Sequence, residues 1–108
     1  KDRITIVRKY VSDVDDDNNI TLDRFFQDEG KSIDNLFLKM DIEGYERKAL
    51  KGAVHILEHG QQIDGSVCIY HLHDDKKVIE SELKNFNLKT SIQLGYLYFE
   101  KEMRSALY

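Results

Sequence analysis

Two short stretches are dense in side chains able to do chemistry. Met40-Asp41-Ile42-Glu43-Gly44 places two carboxylates and a glycine after one apolar run. His71-Leu72-His73-Asp74-Asp75 places two imidazoles and two carboxylates after another. Imidazole takes up and releases protons near neutrality, and a neighbouring carboxylate can orient a reactant or hold developing charge. Asp41, Glu43, His71 and His73 are also oxygen and nitrogen ligands acceptable to a divalent ion, but no zinc-type spacing is present, and the main reading assigns no metal. Each group has a structural reading as well. Carboxylates ahead of a helix satisfy free N–H groups and the helix dipole, and the histidines can be polar strand ends.

Such groups act only if the chain aims them at one place. Leu36 to Met40 is a short, nearly continuous apolar run that fits a strand buried on both faces. Ser66 to His71 reads as another strand. Between them Tyr45, Ala49, Ala53 and Ile56 or Leu57 recur at helical spacing, so a helix is expected from Tyr45 to Glu58, with Gly60 as its stop. Upstream, Ile4 to Val11 reads as a β-branched strand and Ser12 to Asn19 as an acidic loop. Thr21 caps a short helix that carries Asp23 in its first turn and stops at Gly30. Downstream, Asp74 or Asp75 caps a helix over Lys76 to Phe86. Lys89 to Glu100 is β-rich around Gly95, either a hairpin or one bent strand. This alternation implies an α/β fold built of βαβ units around a mostly parallel sheet. Ligands of such sheets bind beyond the carboxyl ends of the strands. Both chemical stretches then share one rim, and Asp41 meets His71 if their strands are neighbours.

The composition sets outer limits. With 108 residues the chain forms a single domain. Sixteen Lys and Arg against 20 Asp and Glu leave a net charge of -4, which argues against nucleic-acid binding through general charge. No apolar stretch reaches the ~18–20 residues of a membrane span. One cysteine, Cys68, excludes an internal disulfide and fits a reducing, cytoplasmic setting. The start at Lys1 fits a processed chain or one cut from something longer. Asp13, Asp15 and Asp17 alternate as in a calcium loop, but Asn18 replaces the turn glycine and Arg24 replaces the bidentate glutamate, so a solvated acidic loop is the reading.

The segment Ile33 to Ala53, IDNLFLKMDIEGYERKALKGA, resembles the signature of the FkbM-type methyltransferases. The shared features are an apolar strand ending in Lys-apolar-Asp, then apolar-Glu-Gly-x-Glu, then Leu-Lys-Gly-Ala. Thr21-Leu22-Asp23 resembles the family's upstream Thr-Leu-Asp segment, and the strand ending in His71 stands where the family has its next parallel strand. The resemblance implies a class I, Rossmann-like fold that uses S-adenosylmethionine. It covers the C-terminal, acceptor-side half of that domain, whose sheet ends in an antiparallel β pair. The glycine-rich cofactor loop of the other half does not occur here.

On that resemblance, the reaction implied is O-methylation of a hydroxyl on a sugar or other small-molecule or glycan acceptor. His71 would act as base, and Asp41 would orient acceptor or base and border the cofactor. Glu43, Tyr45, Glu46 and His73 would line the acceptor site. Two other classes compete: a non-catalytic α/β module that binds a partner, and a metal-dependent hydrolase on the same rim. A missing half would also leave the edge of the Leu36 strand open, so pairing with Ile4 to Val11 or with a second copy in a homodimer is expected.

Overall fold

The computed structural model describes residues 3–101. The chain begins with β1 (Tyr10–Val11), β2 (Asn19–Ile20) and α1 (Leu22–Asp28). The expected first strand shrinks to its last two residues, which pair in parallel with β2. Ile4 and Ile6 stay exposed with no ladder beside them, because β-branched residues form a strand only where a neighbour takes up their N–H and C=O groups. The acidic loop between β1 and β2 uses its carboxylates on itself. Asp15 accepts from the Thr21 N–H and hydroxyl, and Asp16 accepts from the Asn18 and Asn19 N–H groups. Thr21 caps α1 as expected, its Oγ1 accepting from the Arg24 N–H at 3.0 Å.

A four-stranded sheet follows, in the order β3 (Asn35–Met40), β4 (Gln62–Cys68), β6 (Tyr96–Lys101), β5 (Lys89–Gln93). The β3–β4 pairing is parallel, and the β4–β6 and β5–β6 pairings are antiparallel. The sheet is therefore mixed rather than mostly parallel. The cause is the hairpin: β5 turns back through Leu94 and Gly95, both at positive φ, and returns β6 antiparallel against β4. The β4 strand begins earlier than expected and releases the chain before Tyr70 and His71. Its opening, Ile63 to Gly65, is held by partners on both sides. The β3 strand is not buried on both faces. Leu38 and Met40 enter the core, Phe37 and Lys39 point the other way and are exposed, and no strand of the described residues lies on its outer edge.

The expected helix after β3 is two helices, α2 (Glu46–Lys51) and α3 (Val54–His59), broken at Gly52 and Ala53. A Cβ on Gly52 would stand 2.2 Å from the Ser12 carbonyl oxygen and 3.0 Å from the Thr21 Cβ. The Gly52 carbonyl accepts from the Asp23 N–H, and the Asp23 carboxylate caps α3 by accepting from the His55 and Ile56 N–H groups at 2.9 and 3.0 Å. Close packing against the β1–β2 segment, invisible in the helical period, breaks the helix there. The last helix, α4 (Asp75–Lys84), buries Ile79 and Leu83. These side chains form one core with Ala49, Leu50, Ile56 and Leu57 of the helices and Leu38, Met40, Ile63, Val67, Leu97 and Phe99 of the sheet. No helix of the described residues is long and apolar enough to cross a membrane.

Candidate active site

Met40 stands opposite Val67 in parallel neighbours, so the chain leaves β3 and β4 at the same rim. Beyond β3, Glu43 and Gly44 have φ of 57° and 93°, which swings the chain from strand to helix within a few residues. Glycine takes this conformation without cost, whereas glutamate at positive φ is held there by its surroundings. The holding group is Glu46. Its Oε2 accepts from the Ile42 N–H at 2.8 Å and its Oε1 from the Gly44 N–H at 3.0 Å.

Beyond β4 the corresponding anchor is Asp75, a buried carboxylate. Its Oδ2 accepts from the Leu72 N–H at 3.1 Å, and its Oδ1 accepts from Arg47 Nε at 2.8 Å. Arg47 also donates to Asp74, so one guanidinium from α2 fastens both rim loops together. Asp74 first, then Asp75, hold the Arg47 pKa above its ordinary value, and Arg47 holds Asp74 below its own.

His71 stands between the loops with a side chain only 15% exposed. Its Nε2 lies 3.6 Å from Asp41 Oδ1 and 3.8 Å from Glu43 Oε2. Its Nδ1 lies 3.2 Å from Glu46 Oε2, within ion-pair reach but not aligned as a hydrogen bond. The Tyr70 ring stands 4.7 Å from the His71 ring and meets Tyr96 edge-on at 6.4 Å. The Cys68 thiol first, then the Asp41 charge, push the Tyr70 phenol up to about 12, and Asp41 likewise raises Tyr96. Both phenols thus keep their protons at neutral pH and remain hydrogen-bond donors.

The rim brings Asp41, Glu43, Glu46 and His71 together. Glu46 lies inside the loop, with both oxygens engaged by backbone N–H groups, rather than open to an acceptor. Tyr45 is at the surface, outside the helical core stripe, stacked on Tyr10 at 6.0 Å with the Lys48 ammonium 5.4 Å above its ring. His73 is exposed and lies on the Asp74 side of its loop, where it adds the smallest of the influences that hold Asp74 below its ordinary carboxyl range. Sequence reasoning passed over Arg47 and Tyr70. The signal for Arg47 was a basic residue and an acidic pair, each opening the helix after a neighbouring strand. Cys68 is buried, and ligand atoms of Asp41, Glu46, Cys68 and His71 all lie within 4.8 Å of one another. A divalent ion would therefore meet Glu46 and Cys68 in place of Glu43 and His73. A cleft of about 520 Å3 between α1 and α3, lined by Phe26, Ile33 and Ile56, shares no residue with this rim.

Among known protein families, residues 7–98 match the methyltransferase FkbM domain. The chain belongs to this family. The matched span of the FkbM domain contains both rim loops, and the membership points to methyl transfer as the general activity. No curated protein and no solved structure matches the chain.

Fit to a sulfonium cofactor can be tested on the residues present. The cradle of such a fold needs glycine where the backbone closes on the ligand. Of the six glycines, only Gly44 stands in a strand-to-helix turn of the rim, and its φ and the loop around it serve the turn itself. The described residues do not fit a complete cofactor pocket.

Proposed function

We propose that this FkbM domain is the acceptor-side half of a class I, S-adenosylmethionine-dependent O-methyltransferase, working in the cytoplasm. Its acceptor is a hydroxyl on a sugar or other small-molecule or glycan. The observation that carries the reading is the convergence of His71 and Asp41, from loops far apart in sequence, at the carboxyl ends of adjacent parallel strands. The strand order β3-β4-β6-β5, with an antiparallel closing pair, supports the half-domain assignment.

A sulfonium cofactor supplies an electrophilic methyl group, and the residues here do the acceptor's part. An alcohol hydroxyl keeps its proton at neutral pH, so a positioned base contributes to the rate. His71 Nε2 faces the rim and would take that proton if the hydroxyl oxygen displaced a thioether from the methyl carbon of a sulfonium donor. Asp41, 40% exposed on the same side, holds the acceptor and then faces the imidazolium. Tyr70 offers its exposed ring to an apolar sugar face beside His71. The acidic lining of Asp41 and Glu43 favours a neutral acceptor over an anionic one.

Two measurements test this reading. In an enzyme carrying both halves, His71→Ala and Asp41→Asn should each lower methyl transfer by about 10²–10⁴-fold, while His55→Ala on the outer face of α3 should leave it intact. Equal activity in all three variants refutes the assignment. The 108-residue chain alone should bind S-adenosylmethionine weakly or not at all in calorimetric titration, and tight binding would show that the cofactor site lies within it.

A further inference from the structure

We propose that Glu46 positions His71, holding a proton on Nδ1 so that the Nε2 lone pair is the one presented to the rim. The inference rests on the reading of His71 as the base and deepens it.

Glu46 is 1% exposed, an unusual place for a carboxylate. Its two oxygens are fixed by the Ile42 and Gly44 N–H groups, so the side chain cannot swing away. The oxygen bonded to Ile42 is also the one 3.2 Å from His71 Nδ1. That nitrogen is buried and has no hydrogen-bond partner among the described residues. A lone pair there would face a fixed, buried carboxylate and be repelled by it. A proton there is attracted instead, and a small turn of the ring completes the hydrogen bond, as catalytic contacts often tighten only when substrate is bound.

The opposite nitrogen meets weaker constraints. Asp41 and Glu43 stand 3.6 and 3.8 Å from Nε2, with side chains 40% and 88% exposed. Water screens both, and both can move. The tautomer is therefore decided at the buried end. Glu46 reaches neither acceptor nor cofactor and acts through His71, steadying the imidazolium once the acceptor's proton has arrived. A buried carboxylate behind a catalytic imidazole plays the same part in hydrolases.

The test uses the chain itself, with 15N-labelled histidine and long-range proton–nitrogen correlation at alkaline pH, where the rings are neutral. The exposed rings of His55, His59 and His73 should show the ordinary Nε2–H form. His71 should show the Nδ1–H form in excess by about tenfold or more, the worth of one charge-assisted hydrogen bond. A His71 ring protonated on Nε2 overturns the proposal. Glu46→Gln, which leaves one amide oxygen for three donors, should erase that excess. If it prevents folding, the unmodified chain still decides the matter. In the two-half enzyme the same variant should lower kcat and leave KM unchanged, which a purely structural role in the turn would not do selectively. A correct tautomer in an enzyme without methyl transfer would sink the proposed function and leave the positioning intact.

Discussion

Gly52→Ala sets two physical arguments against each other. Helix propensity favours alanine by about 1 kcal/mol. The backbone does not object, because Gly52 has φ -85° and ψ 6°, which alanine adopts without strain. The obstacle is space. The new Cβ would stand 2.2 Å from the Ser12 carbonyl oxygen, a backbone atom, and close to Thr21 on the other side. Ser12 cannot retreat freely, since its N–H donates to the Ile20 carbonyl at 2.9 Å and holds the β1–β2 pair. Overpacking of this kind costs about 1–3 kcal/mol. Moving the segment also strains the Asp23 N–H bond to Gly52 and the two Asp23 bonds that cap α3, each contributing about 1 kcal/mol. The net expectation is a loss of about 2–4 kcal/mol, or a fall in Tm on the order of 10–20 °C for a domain of this size. Urea unfolding followed by far-ultraviolet circular dichroism reads it directly. A variant as stable as the parent, or more so, would mean that propensity wins and that the contact with Ser12 does not break the helix.

Three further outcomes are expected. Leu94, 89% exposed, sits at φ 54° in the two-residue turn between β5 and β6, so Leu94→Asn should recover about 1 kcal/mol of left-handed strain; no gain in the urea midpoint would count against that geometry. Burial raises the Glu82 pKa, so its neutral form is favoured in the fold. The stability this confers is full below the unfolded carboxyl range and is lost as pH rises through the folded value. Glu82→Gln should therefore stabilise the chain near pH 7 and make no difference in acid, and a pH-independent difference in thermal melts would contradict this. The outer edge of β3, bare of any strand among the described residues and with Phe37 68% exposed, should pair with a second copy, giving a dimer in sedimentation that Phe37→Glu weakens; a monomer at every concentration removes the expectation.

The parts of the fold legible in the sequence are those fixed by local pattern. Leu36 to Met40, the Ile79–Leu83 stripe and the Thr21 cap all carry their cause within a few residues, whereas Gly95 left a hairpin and a bent strand both open. The rim was legible in outline for the same reason, because the apolar run before Asp41 states where β3 ends, although β4 stops at Cys68, short of the His71 that the other run pointed to. The rest depended on contacts across the chain. The break at Gly52 comes from Ser12 and Thr21, about 30 to 40 residues away in sequence. Ile4 to Val11 has the composition of a strand but lacks a partner for most of its length. Glu46 reads as a residue lining the acceptor site until the turn at Glu43 and Gly44 aims two N–H groups at it. The available hint was that a first-turn glutamate can reach back to backbone donors ahead of its helix.

The position of β4 bears on how the chain comes together as it is made. Its partner on one side, β3, precedes it, and its partner on the other, β6, lies nearest the carboxyl end, with Ile63 opposite Lys101. A ribosome delivers residues in order, so β4 emerges with one flank covered and waits for about thirty more residues before the other is met. During that interval its apolar stretch from Val67 to Ile69 has an unpaired side. The β5–β6 hairpin, the sheet's one local pairing, comes last in chain order and covers that side, with the Lys101 ammonium donating to the Leu57 and Glu58 carbonyls at the end of α3. Slowing synthesis just upstream of Lys89 would lengthen the exposed interval, and slowing it after Lys101 has cleared the exit tunnel would not.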